Sequence, residues 1–382
     1  MKLFQRLLVA PAALGLLAPI SANATEFNLN DVTNYSDVDS IEFANSFNNV
    51  EESTETKLIA GGEGLVDFGD DFSETTTATF SADFAIGSVD GNTSEDAVQG
   101  IYGFQIDLNT SFTGDDSFDV SIDAGNGGSG LTELDLNDAG TDDALAVDGI
   151  SYTFPIGDNL TVMVGNDVEG SALYNTACVY GGVTNTLDDC GNAKSAMDTS
   201  QATALSASYD FGDGFTAAFG YQGNGDGANG LMTKEGLDYY GLQVSYAEED
   251  GQFGASLTYA TEEESSTVDD VYWGLNAYWT PEDTGAVPSI SVGYEVGNPS
   301  DSTTDTTHWF LGFQWDEIGE GTLGAAVGTT QHTADNATEY LMYEAFYSYP
   351  INDGMTVTPV IYVKETSGDD ETGVIVKTSF SF

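Results

Sequence analysis

Once its first 24 residues are set aside, this chain has few side chains suited to chemistry. There are five lysines (Lys57, Lys194, Lys234, Lys364 and Lys377), two cysteines, two histidines and 63 acids. The formal net charge of the whole chain is −56. Such a charge repels nucleic acid and anionic lipid surfaces, so neither is expected as a partner. It equally suits a protein of saline water or a cation-attracting opening. His308 and His332 stand in no motif with a nucleophile or an orienting acid, so catalysis is not expected. Cys178 and Cys190 lie in a Gly/Asn/Asp-rich stretch with no further cysteine, which favours a local disulfide over a zinc site. Asp167, Glu169, Asp188 and Asp189 surround that pair. The acid-rich stretches Asp135–Asp143 and Asn224–Gly230 could hold Ca²⁺, but the run D-L-N-D-A-G at 135–140 departs from an EF-hand loop at its fifth position. Solvated loops are the favoured reading there, and no other cofactor is expected.

The elements that must carry these residues are strands. Val374, Val376, Thr378, Phe380 and Phe382 alternate with Lys377, Ser379 and Ser381, the period of a β-strand. The chain ends on that apolar strand. An open sheet would leave it as an aggregating edge, whereas a closed barrel in lipid has no edge and requires the alternation. The same pattern recurs over 253–260, 273–279, 289–296 and 308–316. Trp279, Trp309, Trp315, Tyr259 and Tyr349 fall near strand ends, where an interfacial girdle is expected. Residues 1–24 have a basic start, an apolar run and a small-x-small site at Ala22–Ala24, which predicts a cleaved export signal. Residues 25–55 are polar and without a period, an N-terminal extension to a barrel over 56–382.

Long and short polar breaks alternate along the chain, as external loops and periplasmic turns should. Three segments compete for the first two spans: Thr56–Phe68, Thr77–Ser88 and Val98–Phe112. An even strand number favours the first and third, with Thr77–Ser88 in an external loop, which gives an all-β, sixteen-stranded antiparallel transmembrane barrel. By parity Lys57, Lys364 and Lys377 then point into the lumen from adjoining strands. Facing acids across the opening, they would create a transverse field; the plainer alternative has each lysine neutralise a nearby acid such as Glu63, Asp67 or Glu365. The acid excess predicts a weak cation preference.

The closing hairpin, V-T-P-V-I-Y-V-K-E (357–365) with D-D-E-T-G-V-I-V-K-T-S-F-S-F (369–382), resembles that of cyanobacterial outer-membrane porins of the carbohydrate-selective (OprB-like) family. So do I-D-L-N-T-S-F-T-G-D-D (106–116) and Y-T-F-P-I-G-D-N-L-T-V (152–162). The resemblance implies an outer-membrane, usually trimeric channel through which small hydrophilic solutes diffuse. It also implies that the third external loop, here Asn166–Ser200, folds inward, carrying Asp167, Glu169, Asp188 and Asp189 to the opening. Two departures matter. The stretch before the barrel is too short for the S-layer-homology domain and coiled coil usual in such porins. After the signal there is no arginine to line a sugar-selective constriction. The alternative from another class is a secreted, acidic, β-rich surface protein without a channel.

Overall fold

Alternation builds the observed sheet strand by strand. The computed structural model describes residues 76–382, apart from 93–96, 127–129, 132, 135, 137–142, 198–201, 226–229, 234–236, 266–267, 301 and 303. In chain order the strands are β1 (Thr76–Asp90), β2 (Gln99–Thr110), β3 (Ser117–Gly125), β4 (Ala146–Ile156), β5 (Leu160–Val168) and β6 (Ala202–Gly212). There follow β7 (Phe215–Gly223), β8 (Asp238–Ala247), β9 (Phe253–Ser265), β10 (Val268–Trp279), β11 (Ser289–Asn298) and β12 (Thr306–Ile318). The last are β13 (Gly321–Thr329), β14 (Thr333–Ala334), β15 (Leu341–Asn352), β16 (Met355–Lys364) and β17 (Glu371–Ser381).

Neighbours in sequence pair antiparallel all the way round, and β1 closes on β17 with Ser81 opposite Ser381 and Asp90 opposite Thr372. Two bonds of 2.9 Å between the backbones of Phe80 and Phe382 complete the seam. Strand β14 has two residues and pairs only with the end of β12, so sixteen of the seventeen strands form the barrel wall. No helix of the described residues is long and apolar enough to cross a membrane.

The closed wall corrects one sequence expectation. Thr77–Ser88 is not loop: it lies within β1, hydrogen-bonded on both sides to β17 and β2. Its outward Phe84 and Ile86 are 52% and 58% exposed. The even-strand argument placed it in a loop; its inward Asp83 is satisfied inside the barrel by Lys377, 3.0 Å away. The competing Thr56–Phe68, with Lys57, lies outside the described residues, as do the export signal and the 25–55 extension.

Outside, apolar side chains stand in a belt: Leu242, Val244, Leu257, Leu275, Ile361 and Val374 are all about half exposed. In water such a surface would aggregate; against lipid it is the stable arrangement. Below the belt, at the rim with the short turns, aromatic rings touch in series. Phe80 stacks on Phe382 with centroids 5.8 Å apart, Tyr152 on Phe154 at 5.3 Å and Tyr347 on Tyr349 at 6.3 Å. Phe215 meets Tyr246 at 4.7 Å, and Phe313 meets Trp315 at 6.4 Å. Trp279 and Phe211 stand exposed between these groups. This is the interfacial girdle, fuller than the sequence reading made it.

Candidate functional site

Inward positions are small or polar, and one loop uses them as a seat. The third long loop, L3 (described over 169–197), runs round the inner wall rather than out over the rim. Its backbone N–H groups donate to inward side chains on strand after strand. Gly170 donates to Gln222 Oε1 (2.8 Å) on β7, Leu173 to Ser206 Oγ (3.3 Å) on β6 and Asn175 to Gln243 Oε1 (2.6 Å) on β8. Ala177 donates to Ser256 Oγ (3.0 Å) on β9, Val179 to Ser291 Oγ (3.0 Å) on β11 and Gly181 to Gln314 Oε1 (2.9 Å) on β12. A loop backbone taken from water needs such partners, and each bond contributes about 1 kcal/mol net.

The seat is tightest where the wall has no side chain. A Cβ on Gly293 would stand 1.8 Å from the Cys190 carbonyl oxygen, and one on Gly274 1.8 Å from Asn192 Oδ1. Only glycine lets L3 come this close. Further on, the Tyr180 hydroxyl donates to Glu344 Oε1 on β15 at 2.7 Å, and its ring packs on Phe310 and Phe346. Burial, then the neighbouring Glu344, pushes the Tyr180 hydroxyl far above the ordinary phenol range, so it stays a donor. Leu131, Leu134 and Leu136 of the second long loop join Tyr180, Leu187 and the wall in one apolar cluster. The loops therefore meet this wall through an apolar contact.

Cys178 and Cys190 are joined by a disulfide within L3, with Cα atoms 6.5 Å apart. Asn276 Nδ2 donates to the Cys190 carbonyl at 3.0 Å, so the bridge is tied to β10. Closing a ring of about a dozen residues stabilises by roughly 2–3 kcal/mol.

The candidate residues fall into separate places. Asp167 and Glu169 stand at the neck of L3 and, with Asp119 and Asp148, line a cavity of about 270 Å³. Asp167 also borders an open cavity of about 840 Å³ beside Gln222, Tyr239 and Glu262. Asp188 is exposed in the turn of the disulfide ring, and Asp189 Oδ1 accepts the Gly191 N–H at 2.8 Å. These two pairs do not converge on one point. Lys364 does point inward, but it pairs with Glu133 of the second long loop and reaches Thr186 of L3. Lys377 pairs with Asp83. Lys194 holds Glu262 at 3.0 Å. Each described lysine thus has an acid, as in the plainer of the two sequence readings, though with other acids than those named. Lys57 and Lys234 are outside the described residues, and so is most of both candidate Ca²⁺ stretches.

Sequence reasoning missed the acids of the opposite wall. Toward the short-turn rim Asp83, Asp107 and Asp119 point inward from β1, β2 and β3 and keep partial contact with water. Gln105 Nε2 and Ser121 Oγ both donate to Asp107 Oδ1 at 2.7 Å, and Ser117 Oγ donates to Asp119 Oδ2 at 2.7 Å. The signal was present: parity places all of them on the face of Gln105 and Ser121.

A closed barrel with an apolar belt, a polar inner face and an inward third loop matches a known kind of protein. A model of the Gram-negative porin family matches residues 60–370. The chain belongs to that family. Pseudomonas putida OprB, in a structure determined at high pH, superposes with TM-score 0.59 at 12% identity, over 80% of this porin and 94% of that chain. Vibrio cholerae OmpT lacking its loop L8, an outer membrane protein, gives 0.56 at 11% identity over 81% and 100%. The anion-selective porin of Comamonas acidovorans gives 0.56 at 14% identity over 81% and 99%. At such identities the likeness is one of fold. A search of curated protein sequences finds no match. The porin is an outer-membrane channel, and family and fold point away from an enzyme.

Proposed function

We propose that this porin conducts small hydrophilic solutes and inorganic ions passively, with a weak preference for cations. One observation carries the preference: each described lysine is neutralised by an acid, Lys377 by Asp83, while Asp107 and Asp119 on the other wall and Asp167 at the neck of L3 add carboxylates in contact with water. Selectivity follows the charges that line the path, and a surplus of carboxylates raises the local concentration of cations. Sugar selectivity finds no support, because the inner wall offers no arginine.

The narrower kinship with cyanobacterial carbohydrate-selective porins belongs to this proposal and rests on the closing hairpin. So does a trimer in outer-membrane lipid, which crosslinking of the protein in native membranes checks. The secreted surface protein leaves the apolar belt and girdle without a purpose. The deciding experiment is the reversal potential across a planar bilayer in asymmetric KCl. A potential of cation-selective sign is expected, and clear anion selectivity would overturn the reading.

A further inference from the structure

We propose that Glu295, His308 and His332 form a binding site for a divalent transition-metal ion of the zinc class, at the place where L3 meets the wall. Glu295 on β11 and His308 on β12 are directly opposed across the two strands, both side chains inward and buried. His332 lies in the connection after β13 and is brought to them by β14, whose pairing with β12 sets Thr333 opposite Thr307. The two imidazole centroids are 5.4 Å apart. One ring nitrogen from each histidine and a carboxylate oxygen all lie within 4.8 Å of one another. Tetrahedral donors at roughly 2 Å from one zinc ion stand about 3.3 Å apart, so the longest separation must close by about 1.5 Å, shared between two side chains.

The hydrogen bonds outside the cluster set each donor atom for a metal. His308 Nε2 lies 3.0 Å from the Thr329 carbonyl oxygen, which can only accept, so Nε2 carries the proton. Nδ1 is left with its lone pair, and it is buried without a hydrogen-bond partner on a residue that is 5% exposed. His332 Nδ1 is 3.0 Å from Thr306 Oγ1, a hydroxyl able to accept its proton and leave Nε2 to coordinate. Glu295 Oε2 accepts from the backbone N–H and the hydroxyl of Ser195 in L3, at 2.6 and 2.5 Å, which leaves Oε1 toward His332. Metal-binding imidazoles characteristically donate their other N–H to a carbonyl or hydroxyl in this way. An ion pair between His332 and Glu295 alone would use two of the three groups and leave the buried Nδ1 lone pair unexplained. Two histidines and one carboxylate suit a borderline divalent ion, with one position left for water on the partly exposed side of His332. Such an ion would clamp β11, β12 and the β13–β14 connection together beneath L3.

The test uses the full folded porin in detergent, stripped of metal by a chelator. Zinc chloride is titrated by calorimetry over a background of millimolar Mg²⁺ that saturates the acidic surface loops, and Co²⁺ absorption reports nitrogen ligation. One tight site per chain is expected, weakened at least about tenfold in His308→Gln and in His332→Gln, in line with the cost of disturbing metal shells. Heat-modifiable migration in gels confirms folding, and His332→Gln, lying outside the barrel wall, keeps the test valid if the wall variant misfolds. Absence of a stoichiometric site in the wild type, or unchanged affinity in a folded variant, overturns the proposal. Neither outcome depends on ion selectivity.

Discussion

The inner face of this barrel is two surfaces made by one alternation. From β6 to β15 the inward positions are Ser206, Gln222, Gln243, Ser256, Ser291 and Gln314, with glycines where L3 comes closest. From β17 through β3 they are Lys377, Asp83, Asp107 and Asp119, and they keep contact with water toward the short-turn rim. The difference teaches what an inward polar residue is for. Neutral acceptors on the covered wall satisfy a loop backbone that would otherwise lose its hydrogen bonds, whereas charges on the open wall shape the field that a passing ion meets. The covered wall's Glu295 and Glu344 obey the first rule: both are buried and both accept from L3.

The comparison breaks first where L3 is forced from its seat. Gly293→Val places side-chain atoms inside contact distance of the Cys190 carbonyl and should cost about 1–3 kcal/mol or more of seating energy. The expected readout is larger, noisier conductance from a barrel that still migrates as folded, together with protease cleavage inside L3. Cys178→Ser with Cys190→Ser removes roughly 2–3 kcal/mol of loop order. It should give the same noise in milder form, and reduction of the wild type should reproduce it. Tyr180→Phe leaves the buried Glu344 short of a donor, at about 1–3 kcal/mol, and hydrogen exchange over 178–187 should accelerate.

On the open wall the effects are smaller and electrical. Asp83→Asn frees the Lys377 ammonium and removes a carboxylate, so the reversal potential should move toward anions, with a loss of stability on the order of 1 kcal/mol for this partly buried pair. Smallest is a turn at the rim. Asp116 accepts from Tyr152 (2.6 Å), Thr113 and Ser111, and the Tyr152 bond first, then the Thr113 and Ser111 donors, holds its carboxyl well below the usual range. A lowered folded pKa stabilises above the unfolded value of about 4 and is lost as pH falls below it. Protection factors of the 111–116 amides, corrected for the intrinsic pH dependence of exchange, should therefore fall from pH 5 to pH 2 in the wild type and change little in Asp116→Asn.

Much of this was legible in the sequence, because period-two alternation is a local signal. The wall from Val98 onward, the loop alternation and the inward parity of Lys364 and Lys377 all follow from it. What escaped was non-local. An even strand number sets Thr77–Ser88 in a loop, and only its pairing with β17, almost the whole chain away, assigns it to the wall. The L3 seat needs residues from six strands, none distinctive alone. His308 and His332 looked unrelated because a two-residue strand, too short to show a period, brings them together.

The central claim is that water fills the barrel past L3, and single-channel recording of the purified porin in symmetric KCl tests it most directly. The account predicts discrete, reproducible current steps that grow when Gly293→Val unseats L3. A bilayer that stays silent with folded wild-type protein inserted, or steps indifferent to that substitution, would contradict it.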